Sequence, residues 1–216
     1  MTATLTLHGT ATTERSSRNW PKIAGLTYVG AWVVGLTAFG VGPASNASDT
    51  EIARYFADHR ALSTIQSLLI HGVAAVALLG VLLAVQRAGR STRMAYRAGF
   101  TAIGLSLVQC VLDVYRSLVS TGSATATLAH TIDRIDGFKM LALAVMIAAS
   151  VNIFRTTGMI GKKITITGKV AVPALVVSGI AYATATTALL VSAELSLVLL
   201  LVWVGYTGVA AGRQSH

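Results

Sequence analysis

Apolar residues run through this chain in long blocks, separated by short segments where polar and charged residues collect. The blocks fall at about 21–41, 62–86, 97–119, 170–191 and 195–211, with a shorter one at 140–154. About twenty predominantly apolar residues cross a bilayer core as a helix. The pattern therefore predicts an all-α membrane protein, a six-transmembrane-helix bundle. Pro21 and Pro173 stand near helix starts, where a missing N–H costs least. Between the first two blocks, Ser48-Asp-Thr-Glu51 has the form of a capping box, and Ile52, Tyr55 and Phe56 follow on one helical face. This predicts a short amphipathic interfacial helix over 49–59, acting as a connector or as a lid over a pocket.

Polar residues inside the blocks carry the next signal. Ser106, Gln109, Asp113, Arg116 and Ser120 recur at steps of three and four, which places them on one stripe of the third helix. The second helix carries Ser63, Ser67 and His71 at steps of four, with Gln66 beside them. The apolar part of the fourth, Met140 to Phe154, would rise only about 22 Å against the roughly 30 Å of a bilayer core. That helix must draw Asp133, Arg134, Asp136 and Lys139 into or against the slab. Ionisable groups at such depth are costly and normally mark a functional site.

Composition agrees with a membrane location. Hydrophobic residues make up 54% of the chain and charged ones 12%, against roughly 25% charged in soluble domains. Mean hydropathy is +0.68. The net charge of +9 invites a nucleic-acid reading, but the basic residues cluster between helices, where membrane topology accounts for them. Arg15, Arg18 and Lys22 precede the first span; Arg87, Arg90, Arg93 and Arg97 join the second to the third; Arg155, Lys162, Lys163 and Lys169 join the fourth to the fifth. The positive-inside rule then predicts a multi-pass cell-membrane protein with both termini cytoplasmic. It comprises a flexible cytoplasmic tail over 1–19 and one membrane domain over 20–212. The Asp–His–Arg stripe falls in the outer half. The lone Cys110 excludes an internal disulfide and reads as a small core residue. No metal-ligand spacing, phosphate loop or serine-nucleophile motif occurs, so no metal and no cofactor is expected.

Two readings of the charges compete. Three acids and three bases can neutralise one another as a structural ion network joining the third and fourth spans. Alternatively, carboxylates beside a histidine form an acid–base set in an outward chamber open to lipid. On these grounds Asp113 and Asp136 lead as catalytic acids, with His71 and Asp133 beside them. Gln66, Gln109, Tyr115, Arg116, Arg134, Phe138, Lys139 and Trp203 are candidates for binding.

Gly25-Leu-Thr-Tyr-Val, Trp32-Val-Val-Gly35, Tyr55-Phe56 and Arg134-Ile-Asp136-Gly-Phe-Lys139-Met-Leu-Ala-Leu resemble a group of small actinobacterial multipass proteins. More loosely, the chain resembles the integral-membrane terpene cyclases of bacteria. That resemblance implies acid-initiated cyclisation of a lipid-soluble prenyl substrate, with aromatic faces from Tyr55, Tyr115, Phe138 and Trp203 steadying the cation. The rivals are a proton-coupled transporter or small-molecule sensor, and a non-catalytic subunit using the glycines of the first and last spans as contact faces. The expected partners are the bilayer and a lipid-soluble small molecule, with oligomeric state left open.

Overall fold

The computed structural model describes residues 11–39, 42–43, 47–119, 122–186 and 191–213. Helix α1 covers Ala11–Phe39 and α2 covers Asp49–Asp58. The second span is α3 (Arg60–Ser67), a π-helical segment (Leu68–Val73) and α4 (Ala74–Arg87). Then follow α5 (Arg93–Val119), α6 (Gly122–Thr156), α7 (Lys162–Thr184) and α8 (Val191–Arg213). Six helical stretches among the described residues are long and apolar enough to cross a membrane: Asn19–Phe39, Arg60–Arg87, Arg93–Leu118, Ala124–Thr156, Lys162–Thr184 and Ser192–Arg213. The expected six-span helical bundle is therefore present. Of the predicted tail, residues 1–10 lie outside the described part, and α1 begins at Ala11.

Several boundaries differ from those the hydropathy pattern implied. The polar stretch 122–127 is helical, so α6 begins well ahead of its apolar part. Lys162, Lys163 and Lys169 lie on α7 rather than in a loop, because Thr165 and Gly168 already pack inward there and Gly161 stands at the N-cap position. Helix α7 ends at Thr184, where Ala185 caps it in the left-handed region (φ 54°), and α8 begins at Val191. Ser192 and Glu194 consequently open α8.

The spans close into a ring in which α1 meets α8, α8 meets α7, α7 meets α6, α6 meets α5, and α5 and α1 both meet the second span. Two crossings depend on missing side chains. A Cβ at Gly208 would stand 2.7 Å from the Cα of Gly25, and one at Gly25 would stand 3.0 Å from the Gly205 carbonyl oxygen. These glycines join α1 to α8 within one chain. Gly25, Gly205 and Gly208 are taken up by this internal contact, while Gly30 of the first span has open space beside it. Likewise a Cβ at Gly137 would lie 2.6 Å from the Gly179 carbonyl oxygen and 2.7 Å from the Ala183 nitrogen. Because both neighbours are backbone, Gly137→Ala should push α7 off α6 and cost about 1–3 kcal/mol of stability. Thermal unfolding in detergent checks this, and an unchanged midpoint would contradict the crossing.

The core follows the ring's interior. Phe154 stacks on Trp203 at 5.6 Å, and Ile147, Leu175, Leu200 and Val204 are fully buried around them. Large apolar side chains such as Val76, Val111, Leu118 and Val202 point outward, as lipid-facing positions require.

Candidate functional site

At the end of the bundle holding the connections 1–2, 3–4 and 5–6 lies a cavity of about 720 Å³. Its floor is a chain of polar contacts across three spans. Asp113 on α5 is ion-paired with Arg116 one turn later and accepts a hydrogen bond from Ser67 Oγ at 3.0 Å. Asp136 on α6 is ion-paired with Lys139 and accepts from Gln109 Nε2 at 3.0 Å. Lys139 Nζ donates to Gln109 Oε1 at 2.8 Å. His71 stands between the two pairs, with Nδ1 3.4 Å from Lys139 Nζ and Nε2 3.7 Å from Asp113 Oδ2. An ammonium only donates, so Nδ1 is the acceptor and the ring hydrogen sits on Nε2, aimed at Asp113. The imidazole thereby links two ion pairs in its neutral form.

The second span reaches this chain through a local change of helix type. Leu68–Val73 is π-helical, and His71 lies in that widened turn. Inserting one extra residue per turn changes which side chains face inward, and such turns concentrate at functional sites. Ser67, just before it, meets Asp113; Ser63, one turn earlier, lies 3.2 Å from Ser117 on α5.

The walls are apolar and aromatic. Trp32 and Leu36 come from α1, Ile70 from the π segment, Tyr182 from α7, and Leu197 and Val198 from α8. Trp32 meets His71 edge-on at 6.4 Å, and Lys139 Nζ lies 5.8 Å from its ring centroid. Tyr182 reaches the cavity from α7, the helix that crosses α6 closely at Gly137, next to Asp136.

Helix α2 covers part of the opening. Ile52 and Phe56 are buried against Ala126 and Ala129 of α6, and both line the cavity. Arg116 lies 3.6 Å over the Phe56 ring, so a cation–π contact ties this cover to the floor. His130 Nε2 on α6 stands 4.0 Å from Asp49 at the start of α2. The predicted capping box is present, with Glu51 N donating to Ser48 Oγ at 3.3 Å and Ser48 N donating to Glu51 Oε2 at 2.9 Å. The hydrogen bonds from the Ser48 backbone and side chain hold the Glu51 carboxyl below its ordinary value. A depressed carboxyl stabilises the folded form above its unfolded value near 4.5 and stops doing so as pH falls through the folded one. A spin label at the exposed Ala57 should therefore become more mobile as pH falls from 4.5 through the lowered folded value; Ser48→Ala should already be mobile at neutral pH.

Most of the residues singled out from the pattern converge here. Gln66, His71, Gln109, Asp113, Arg116, Asp133 and Asp136 line the cavity, and Lys139 forms part of its floor. Others do not. Tyr115 is 52% and Phe138 59% exposed, which turns both rings outward. Each lies two residues past an inward Asp, a rotation of about 200° around the helix. Trp203 is in the core against Phe154, and Tyr55 stacks on His59 at the surface. Arg134 is exposed, and the connection between Asp113 and Lys139 runs through His71. Ser120 lies outside the described residues. Trp32, Phe56, Tyr182, Ser67 and Glu194 also line the cavity; of these, Ser67, four residues before His71, and Phe56, on the apolar face of the capped helix, carry a spacing signal.

Of the three chamber aspartates, Asp113 and Asp136 each hold a cation one turn away. Asp133 lines the same cavity, half-buried, with no ion pair among the described residues. Beneath Lys139 a small void of about 20 Å³ is bounded by Tyr28, Ser106 and Trp32, then by Leu78, Ile103, Leu143 and Leu200. The polar chain ends at that apolar layer. No group of three or more metal-ligating side chains occurs among the described residues. Comparison with protein-family models, curated proteins and solved structures finds no match.

Proposed function

We propose that this chain is a multi-pass membrane protein that receives a small lipid-soluble molecule in the chamber and recognises it there, as a sensor or binding protein. The carrying observation is a cavity of about 720 Å³ with apolar walls above a floor whose charges are already paired. Cavities of roughly 300–1,000 Å³ with a few convergent polar groups are the usual form of small-molecule sites. The basic residues orient it. Lys22, Arg87, Arg90, Arg93, Arg97, Arg155, Lys162, Lys163, Lys169 and Arg213 all lie toward the opposite end, which is cytoplasmic by the positive-inside rule. The chamber then opens outward. The apolar layer of Leu78, Ile103, Leu143 and Leu200 favours a closed pocket over a proton-coupled conduit.

Native mass spectrometry of protein taken directly from its membrane into nanodiscs tests this reading. A small molecule should accompany the wild type and be lost from Ala193→Trp, which fills the chamber from its wall. The same mass on both proteins would contradict it.

A second reading, acid-initiated cyclisation of a prenyl substrate, is favoured by Asp133. Asp113 and Asp136 are each ion-paired with a cation one turn away, whereas Asp133 faces the chamber with no ion pair among the described residues. Expression beside a prenyltransferase should then yield a product isomeric with the substrate, abolished by Asp133→Asn. An unchanged lipid extract would remove the cyclase reading and leave the binding one.

A further inference from the structure

The electrostatics of the chamber point to the charge of its occupant. Arg116 and Lys139 match Asp113 and Asp136 one for one, and His71 is neutral in the tautomer its neighbours impose. What remains on the walls is Asp133 from α6 and Glu194 from the first turn of α8, both lining the same cavity. Neither has an ion-pair partner among the described residues. Tyr182, on the helix packed against both α6 and α8, lines the same space. His130, also on the wall, faces Asp49 at 4.0 Å. The Trp32 ring adds a second electron-rich face.

Resting on the reading of the chamber as a small-molecule site, we propose that it takes an amphipathic organic monocation. The ammonium or other onium group lies beside Asp133 and Glu194 against Tyr182. The apolar portion lies along Leu36, Ile70, Leu197 and Val198. Carboxylates near the membrane attract a cation over a neutral molecule of equal shape, and aromatic faces recognise quaternary ammonium groups. An anion is disfavoured twice, because the two floor cations are already engaged and the free wall charges repel it.

The test uses three probes of similar size on purified protein in phosphatidylcholine nanodiscs: phenyltrimethylammonium, its neutral isostere tert-butylbenzene, and benzenesulfonate. Binding is followed by tryptophan fluorescence and by thermal shift. Phenyltrimethylammonium should bind at least about tenfold more tightly than the isostere, about 1.4 kcal/mol, and benzenesulfonate should not bind. Asp133→Asn and the exposed-site change Glu194→Gln should each reduce that preference at least about threefold, with unfolding midpoints retained. Equal binding of cation and isostere overturns the proposed charge and leaves the chamber as a ligand site. Binding of none of the three overturns both. A preference that survives the double variant overturns the assignment to Asp133 and Glu194.

Discussion

Lys139→Met is expected to destabilise the bundle by about 3–5 kcal/mol, the loss typical of removing one partner of a buried ion pair. Lys139 is 3% exposed and contacts Asp136, Gln109 and His71 together. Its removal leaves Asp136 charged in the bundle with only neutral donors. Adding Asp136→Asn to the same protein should restore most of the stability, because the two charges disappear together and the amide still suits Gln109. Thermal unfolding of the single and double variants in the same detergent decides it. A double variant as unstable as the sum of the two singles would mean that the pair is not coupled.

Arg116→Met should have the second largest effect, of about 3 kcal/mol, with a distinct signature. Arg116 serves both the floor, through Asp113, and the cover, through the face of Phe56. Its loss should destabilise the bundle and also free α2, seen as faster motion of a spin label at Ala57. Phe56→Leu removes only the second role, so it should mobilise the label with a much smaller change in unfolding. If Phe56→Leu and Arg116→Met shift the unfolding midpoint equally, the two roles are not separable and the link between floor and cover fails.

Hydropathy made the spans legible because a helix in lipid must be apolar over a length the bilayer sets, and the basic connections add a second, independent signal. The floor was legible for the same physical reason. Asp113, Asp136 and Lys139 could lie so deep only if they faced inward, and Ser63, Ser67 and His71 recur on one face of the second span. The pairing was not. The pattern suggested bridges between spans, whereas both ion pairs form within a helix, three residues apart, and His71 makes the crossing between them. That crossing depends on the π-helical turn at Leu68–Val73, which shifts the register in a way no fixed spacing reveals.

Aromatic placement was the weakest inference, for a reason peculiar to membranes. Lipid and core are equally apolar, so hydropathy cannot say which face of α1 turns inward, and nothing in the pattern marks Trp32, among Val33, Val34 and Leu36, as a wall of the chamber. Tyr115 and Phe138 were open to correction from sequence alone, since two residues along a helix is nearly the opposite side. Trp203, near the middle of α8, lies below the chamber because Gly168 of α7 admits its indole, which no spacing reveals. The helical ends of α6 and α7 were hidden by polar residues that the bundle and its surface tolerate, such as Thr125 and Thr165, both buried.

The proposed chamber opens outward and ends at the polar floor. In a Cys110→Ser background, a cysteine at Gln66, half-buried on the chamber wall, is to be challenged in intact cells with a membrane-impermeant thiol reagent. A cysteine at Ser91, in the connection between α4 and α5, serves as the opposite-side control. Position 66 should be labelled from outside, and position 91 only after the cytoplasmic face is exposed. Labelling of position 66 only from the cytoplasmic side, or from neither side, would contradict an outward-opening chamber.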